Sequence, residues 1–333
     1  MDLSAKIYVA GHTGLVGSAL VRLLQQKGYR NLLMRTHREL DLQEALGVER
    51  FFAQAQPQYV FLAAARVGGI LANNSFPADF IFDNLRIEAN VIHQCWRSGV
   101  ERLLFLGSSC IYPKLAAQPL REDALLSGPL ESTNRSYAIA KIAGIEMCWA
   151  YNRQYGTRFL AAMPSNLYGP GDNYHPSHSH LVPALIRKMH EAKVSGRREV
   201  TIWGTGTPRR ELLYSEDAAD ACIFLAGLPF ERLNELTGSQ EAPPLVNIGS
   251  GRDMSVREIA ELVAQVVGIE PVLRFDANKP DGTPRKLLDT ARLDSLGWKP
   301  RTGLRDGLRQ AYLDFCARCA ESPARTLVGP REN

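Results

Sequence analysis

The N-terminal order of strand, glycine-rich turn and helix constrains the fold more than any other feature of the sequence. Residues 6–10 are mainly β-branched or aromatic, and residues 18–27 place apolar side chains at helical spacing. The glycines between them permit a tight turn and let backbone amides approach a pyrophosphate at the start of the helix. We therefore predict a dinucleotide site formed by Gly11, His12, Thr13, Gly14, Leu15, Val16 and Gly17.

The alternation of strand and helix continues through the first half of the chain. Apolar runs predict strands at residues 32–34, 59–63, 103–106 and 159–162, and helical spacing predicts helices at residues 46–55, 79–98 and 137–155. Near-continuous apolar strands separated by helices are typical of a parallel sheet covered on both faces. We expect an α/β fold with a Rossmann-type doubly wound parallel sheet.

The second half is less regular, with Pro and Gly clusters between shorter helical patterns at residues 181–192, 256–267 and 304–315. A chain of 333 residues suits two domains. We predict a nucleotide-binding Rossmann domain at residues 1–168, with a return segment near residues 212–236. Most of residues 169–330 should form a smaller, interleaved α/β substrate domain.

Composition and charge exclude several classes of protein. Hydrophobic residues make up 45% of the chain, which is too many for a disordered protein. The net charge of +4 is spread along the chain, so we expect no nucleic-acid partner. The longest apolar run, residues 59–65, is far shorter than the roughly 18 residues of a membrane span, so we expect no membrane partner. Scattered cysteines, and an N-terminus without room for a signal peptide, predict a cytoplasmic location.

The residues after the second strand bear on the choice of dinucleotide. An acidic residue at this place suits the ribose 2′-hydroxyl of NAD, whereas a basic residue suits the 2′-phosphate of NADP. The strand is followed by Arg35, His37 and Arg38, and the nearest acids are Glu39 and Asp41. We therefore predict NADP, held by His37 and Arg38, with Arg35 as a further candidate.

Candidates for proton transfer lie on one helix and after one strand. Tyr137 and Lys141 are four residues apart and so share a helix face. A lysine ammonium near a tyrosine favours the phenolate, so we expect a lowered pKa for Tyr137. Ser108 and Ser109 follow the strand at residues 103–106, where a hydroxyl can hold a substrate oxygen.

The chain resembles the GDP-L-fucose synthases, a family in the nucleotide-sugar branch of the extended short-chain dehydrogenase/reductases. The resemblance lies in long segments at residues 64–70, 107–113, 137–141, 166–170 and 279–286. It implies a homodimer that converts GDP-4-keto-6-deoxy-D-mannose to GDP-L-fucose, by epimerisation at C3 and C5 and then reduction at C4 by NADPH. The partner molecule is accordingly a GDP-sugar.

The resemblance also implies roles for particular residues. Cys110 and His180 would exchange protons during epimerisation, and Cys110 shares a side with Ser108 if that segment is extended. The implied substrate contacts are Lys188, Trp203, Arg210 and Asp281. The implied cofactor contacts, beyond the glycine turn and the basic residues, are Asp41, Leu42, Leu106, Gly107, Ser108, Ser109, Lys141, Pro164, Ser165, Asn166, Leu167 and His180.

Some readings of the sequence stay open. A 4-epimerase or 4,6-dehydratase of the same fold, and a non-catalytic NADP-binding protein, are the alternatives to the epimerase–reductase. Thr13 stands where some relatives carry a basic residue, so the preference for NADPH over NADH should be modest. His175, His178 and His180 are close together but lack a carboxylate or cysteine beside them, so we predict no metal. The helices at residues 79–98 and 137–155 are long enough for a four-helix bundle in a homodimer.

Overall fold

A computed structural model describes residues 1–176 and 179–321. The strands are β1 (Ile7–Ala10), β2 (Leu32–Leu33), β3 (Tyr59–Leu62), β4 (Arg102–Leu106), β5 (Phe159–Pro164), β6 (Asn166–Tyr168), β7 (Glu199–Trp203), β8 (Arg209–Tyr214), β9 (Leu245–Ile248), β10 (Asp253–Ser255), β11 (Val272–Asp276) and β12 (Arg285–Lys286). The helices are α1 (Leu15–Gln26), α2 (Ala45–Ala55), α3 (Ile70–Ser75), α4 (Pro77–Arg97), α5 (Arg135–Tyr155), α6 (Leu181–Ser195), α7 (Ser215–Ala226), α8 (Phe230–Thr237), α9 (Val256–Val267), α10 (Ala291–Ser295) and α11 (Leu304–Glu321).

The central sheet has six parallel strands in the order β2-β1-β3-β4-β5-β9. This confirms the predicted Rossmann-type parallel sheet. The strand order reverses direction around β1, and in such sheets ligands bind beyond the carboxyl ends of the strands near that point. The sixth strand, β9, was not among the strands predicted from the sequence.

Both faces of the central sheet are covered, as expected for a doubly wound fold. On one face, α1 and α7 pack through buried residues such as Leu20 and Ala219. On the other, α2, α4 and α5 contribute Phe52, Val91 and Ile145 to a second core. The strands between them are apolar on both faces because neither face meets water.

A separate group of elements lies beyond the carboxyl ends of the central strands. There β8 pairs with β6, β10 and β12, and β7 pairs with β11. A third core joins α6, α9 and α11 to these strands. Since β6 follows β5 after one residue, Ser165, the chain passes directly from the central sheet into this second group.

The boundaries of the two long helices differ slightly from the sequence prediction. Helix α4 begins at Pro77, because proline is favoured in the first turn, where its missing N–H is not needed. Helix α5 begins at Arg135 and ends before Gly156, whose φ of +65° gives a left-handed cap. In the described part of the chain, every helix is too short or too polar to cross a bilayer.

Candidate active site

One cleft of about 1650 Å³ opens at the carboxyl ends of β1, β3, β4 and β5 and extends to the second group of elements. Most of the residues singled out from the sequence line it. They are Gly11, Thr13, Gly14, Leu15, Val16, Gly17, His37, Asp41, Leu42, Leu106, Gly107, Ser108, Ser109, Cys110, Tyr137, Lys141, Pro164, Ser165, Asn166, Leu167, His180, Lys188, Trp203, Arg210 and Asp281. Residues more than 200 positions apart in the sequence thus share one space.

The glycine turn has a shape that only glycine can provide. Gly11 has a φ of +82°, and a Cβ there would lie 2.7 Å from the backbone nitrogen of Ala64. A Cβ on Gly17 would lie 2.0 Å from the carbonyl oxygen of Gly11. No side chain caps the start of α1 at Gly14. The amides of its first turn therefore face the cleft without intrahelical partners, which fits the pyrophosphate of a dinucleotide.

The basic turn after β2 contributes unequally to the cleft. Arg35 and His37 line it, whereas Arg38 is exposed and does not. Arg35 donates a hydrogen bond of 2.7 Å to the carbonyl of Met34, and its guanidinium lies over a phenylalanine ring. The Glu39 carboxylate accepts hydrogen bonds from the amide and hydroxyl of Thr36. This acid therefore stabilises the turn, and Arg35 is the arginine of the turn that lines the cleft.

Asp41 and His12, two further residues of the predicted cofactor site, also differ in whether they line the cleft. Asp41 lines the cleft, accepts a hydrogen bond of 2.9 Å from the amide of Gln43 and lies 3.7 Å from the His37 ring. His12, although in the glycine turn, is not among the lining residues, and its Nδ1 is buried. The amide nitrogen of His12 remains part of the turn that the glycines shape.

Ser108, Cys110 and Tyr137 form the centre of the cleft. Ser108 is extended, but Cys110 lies in a 3₁₀ turn at Ser109–Ile111, so the expectation of a fully extended segment was wrong. The two residues are still close, because the turn brings the backbone amide of Cys110 to 3.5 Å from the Ser108 hydroxyl oxygen, which accepts its hydrogen bond. The Ser108 hydroxyl is near the Tyr137 hydroxyl and the Cys110 thiol and lowers the pKa of each, against the larger opposing effect of burial.

Lys141 is placed differently from the sequence expectation. Its Nζ lies 3.1 Å from Oε1 of Glu88 on α4 and 5.9 Å from the centre of the Tyr137 ring. The pKa of Tyr137 is raised well above its usual value by burial, by Cys110 and by the Glu88 carboxylate. The expected lowering of this pKa by Lys141 was therefore wrong, because burial of the phenol disfavours the phenolate and the nearby Cys110 and Glu88 add to that effect.

Two further groups with shifted pKa values flank this centre. Burial raises the pKa of the Cys110 thiol, and the ammonium of Lys286 opposes that shift. His180 lies at the start of α6 and lines the cleft. Desolvation of its imidazole, together with the charge of Lys286, lowers its pKa. A neutral thiol and a neutral imidazole thus lie on elements from the two halves of the molecule.

The far end of the cleft carries the residues implied for substrate binding. Lys188 donates a 2.9 Å hydrogen bond to the carbonyl of Thr201, and its Nζ lies 5.6 Å from the centre of the Trp203 ring. Trp203 is 46% exposed, so a face remains available for stacking. Arg210 donates a 3.0 Å hydrogen bond to the carbonyl of Asp281.

Asp281 has a structural role in addition to the implied one. Its carboxylate accepts hydrogen bonds of 2.8 Å from the amide and hydroxyl of Thr205. These bonds hold the loop before β12 against the turn after β7, beside Trp203. By contrast, Arg209 and Arg285, which could also have met a diphosphate, both pair with Asp253 outside the cleft.

Sequence reasoning missed two charged residues at the centre, Glu88 and Lys286. A signal for Glu88 existed: Phe80, Asn84, Glu88 and Cys95 are all buried on one face of α4, where a carboxylate is out of place. Lys286 lay in one of the resembling segments, but its distance from Cys110 along the chain hid their proximity. Among the described residues, no three histidine, cysteine or acidic side chains form a metal-binding group, and His178 lies outside those residues.

Comparisons with known proteins agree with this geometry. The model of the NAD dependent epimerase/dehydratase family matches residues 7–235. GDP-L-fucose synthase 1 of Arabidopsis thaliana is 58% identical over 311 residues, which cover 93% of each chain. GDP-L-fucose synthase of Escherichia coli strain K12 is 52% identical over 310 residues, covering 93% of this chain and 96% of its own. A Campylobacter jejuni GDP-D-glycero-L-gluco-heptose synthase, crystallised in the presence of NADPH, is 37% identical with a TM-score of 0.87, covering 95% of this chain and 99% of its own.

Proposed function

Because the chain belongs to the NAD dependent epimerase/dehydratase family, we propose that it converts GDP-4-keto-6-deoxy-D-mannose to GDP-L-fucose. It is an NADP-dependent epimerase–reductase. One observation carries this proposal: Ser108, Cys110, Tyr137 and His180 line a single cleft beside the glycine turn, in a chain more than half identical to GDP-L-fucose synthases along nearly its whole length.

Epimerisation requires proton exchange on two faces of a sugar. A proton next to the C4 carbonyl is removable when the enolate oxygen is stabilised, and the hydroxyls of Ser108 and Tyr137 supply hydrogen bonds for it. We assign Cys110 and His180 to take a proton from one face and deliver one to the other. Their origin on two different elements, the turn after β4 and the start of α6, supports this division of roles.

Reduction then requires a hydride and a proton at C4. When bound, NADPH supplies the hydride. Tyr137 gives its phenolic proton to the C4 oxygen as that oxygen gains negative charge, and Ser108 holds the same oxygen in place. Burial of Tyr137 keeps the phenol protonated until then.

We propose that residues 1–168, with the return near residues 212–236, hold the cofactor, and that most of residues 169–330 hold the GDP-sugar. Arg210 and Lys188 would neutralise the diphosphate, Trp203 would stack on the base or sugar, and Asp281 would keep the loop beside them in place.

A cytoplasmic location accords with the six cysteines, which are all free thiols.

The proposed function is tested by incubating the protein with GDP-4-keto-6-deoxy-D-mannose and NADPH. We expect NADPH oxidation and a product identical to GDP-L-fucose by chromatography and NMR. A 4-epimerase, a dehydratase or a non-catalytic binding protein would leave NADPH unoxidised under these conditions. Absence of both oxidation and product would overturn the proposal.

The basic turn predicts which residue selects NADPH over NADH. Arg35→Ala is expected to raise KM for NADPH about tenfold, equivalent to about 1.4 kcal/mol, and to leave KM for NADH nearly unchanged, because only NADPH carries the 2′-phosphate. Arg38→Ala is the matched control, since Arg38 does not line the cleft. Steady-state kinetics with both cofactors measure the effect. A loss confined to Arg38→Ala would assign the contact to Arg38 instead.

We also propose that the protein is a homodimer formed through α4 and α5. These helices pack side by side, and their outer surface exposes Phe82 and Leu85 on α4 and Ile139 and Tyr155 on α5. Phe82 is 58% exposed and Tyr155 is 44% exposed. Exposed apolar side chains on two helices that pack together are typical of an interface between subunits.

Phe82→Asp is expected to convert the dimer to a monomer, because it places a charge at the centre of that apolar surface. Light scattering at micromolar concentration gives the mass. Val272→Asp, which adds the same charge to an exposed position on β11, should leave the dimer intact. A monomeric wild type would contradict the proposal.

A further inference from the structure

Glu88, which forms an ion pair with Lys141, has no role in the proposed function so far. Lys141 Nζ and Glu88 Oε1 are 3.1 Å apart, and the two side chains are only 2% and 1% exposed. Lys141 Nζ also lies 4.6 Å from the centre of the Phe105 ring on β4. The reacting centre therefore has a buried carboxyl group behind its lysine. Burial raises the pKa of Glu88 to about 7, and the nearby charge of Lys141 opposes that shift.

The surroundings of Glu88 are shaped to admit this carboxylate. Gly144, one turn after Lys141 on α5, has no side chain, and a Cβ there would lie 3.0 Å from Glu88 Oε2 and 2.5 Å from the Phe105 ring. The titratable groups that act on or are acted on by Glu88 are Lys141, Tyr137 and Cys148, all on α5. From its other neighbours it meets Phe105, which is apolar. Lys141 is thus the cation that the described residues place against Glu88.

A buried ion pair is weak evidence of stability, because desolvation of both charges offsets their attraction. An apolar residue at this position of α4 would fill the same space without the free-energy cost of removing a charge from water. The location of the pair suggests another reason for it, since Lys141 lies one helical turn from the proton donor Tyr137. A lysine alone would favour the phenolate of Tyr137, and a phenolate cannot give a proton to C4.

We propose that Glu88 is a positioning residue for the reductive step: when ionised, its carboxylate holds Lys141 and offsets the lysine charge, which adds to the effect of burial in keeping Tyr137 a phenol able to donate its proton. This inference rests on the proposed function, in which the C4 oxygen must receive a proton. An enzyme of this fold that oxidised an alcohol would need the opposite bias, toward phenolate. Glu88 therefore favours the protonated form of Tyr137, which is the form that the reduction consumes.

The first test compares the pH dependence of NADPH oxidation in wild type and Glu88→Gln. Glutamine keeps the shape but removes the charge, so the alkaline limb of the kcat profile should move to lower pH by about one unit or more. Glu88→Asp keeps the charge and should retain a limb close to that of wild type. Glu49→Gln, which removes a carboxylate paired with Arg97 at the exposed end of the same helix, should change nothing.

A second measurement needs no turnover. Tyrosinate absorbance is titrated in Glu88→Gln and in the double variant Glu88→Gln, Tyr137→Phe. We expect one phenol to ionise at lower pH in Glu88→Gln than in wild type, and to be missing from the double variant. Glu88→Leu, which also removes the charge and fills the buried space, supplies the comparison if Glu88→Gln proves unstable.

The results separate this inference from the proposed function. If wild type makes GDP-L-fucose but the variant that lacks the Glu88 charge keeps its pH profile and tyrosine titration, with only lower thermal stability, the role of Glu88 is structural and the inference is wrong. If wild type does not act on the substrate, the proposed function fails, and the tyrosine titration alone decides whether Glu88 controls Tyr137.

Discussion

Replacing Tyr137 by phenylalanine is expected to lower the rate of C4 reduction by about 10²–10⁴-fold, the usual contribution of a general acid. The ring would stay in place, because it packs edge-on against Phe80 with ring centres 6.2 Å apart. Only the hydroxyl, with its hydrogen bond to Ser108, would be lost. NADPH oxidation measures reduction, and uptake of solvent deuterium at C3 and C5 measures epimerisation in the same sample.

We expect deuterium uptake to persist in Tyr137→Phe, since Ser108 still holds the enolate oxygen. Tyr155→Phe, at the exposed end of the same helix, is the matched control and should reduce the substrate as wild type does. Reduction by Tyr137→Phe at the wild-type rate would show that another group donates the proton.

Replacing Cys110 by serine is expected to slow proton exchange at C3 and C5 by about 10²–10⁴-fold. The two side chains are similar in shape, and Cys110 is only 5% exposed, so the fold should tolerate the change. Serine has a far higher pKa than cysteine and cannot serve as the base. Because burial raises the pKa of the Cys110 thiol, the wild-type exchange that begins from the thiolate should accelerate as pH rises toward that pKa.

Solvent deuterium incorporation, followed by NMR, measures this loss position by position. Cys316→Ser, on α11 and away from the cleft, is the control and should exchange normally. Exchange at both carbons at the wild-type rate in Cys110→Ser would show that Cys110 only packs in the core.

The central sheet could be predicted from the sequence because each of its long strands is buried on both faces. The strands β1, β3 and β5 are apolar throughout, and such runs between amphipathic helices admit few other folds. Strand β9 was harder to predict, since its four residues follow a Pro-rich loop and pair with β5, more than 80 positions earlier. Local patterns carry no information about a partner that distant.

The site was predictable where its residues belong to local motifs, such as the glycine turn and the pair Tyr137 and Lys141. Its electrostatics were not, because they depend on packing between elements. Burial and, to a smaller extent, Glu88 on α4 raise the pKa of Tyr137, and Lys286 on β12 opposes the rise in the pKa of Cys110. A charged residue that is distant in the sequence but close in the fold changes a pKa, and the local motif does not indicate its presence.

The passage from β5 through Ser165 to β6 joins two halves that contribute different chemistry. Ser108 and Tyr137, which the proposed reduction needs, both belong to the half built on the central sheet. The two groups proposed for proton exchange are divided, with Cys110 on that half and His180 on α6 of the other. Both proposed steps need the two halves together, but inversion alone also needs His180 aligned with Cys110, so a substitution that loosens the contact between the halves should impair inversion more than reduction. Such an enzyme would release sugars that are reduced but incompletely inverted, so product purity, more than overall rate, would report how firmly the halves are held together.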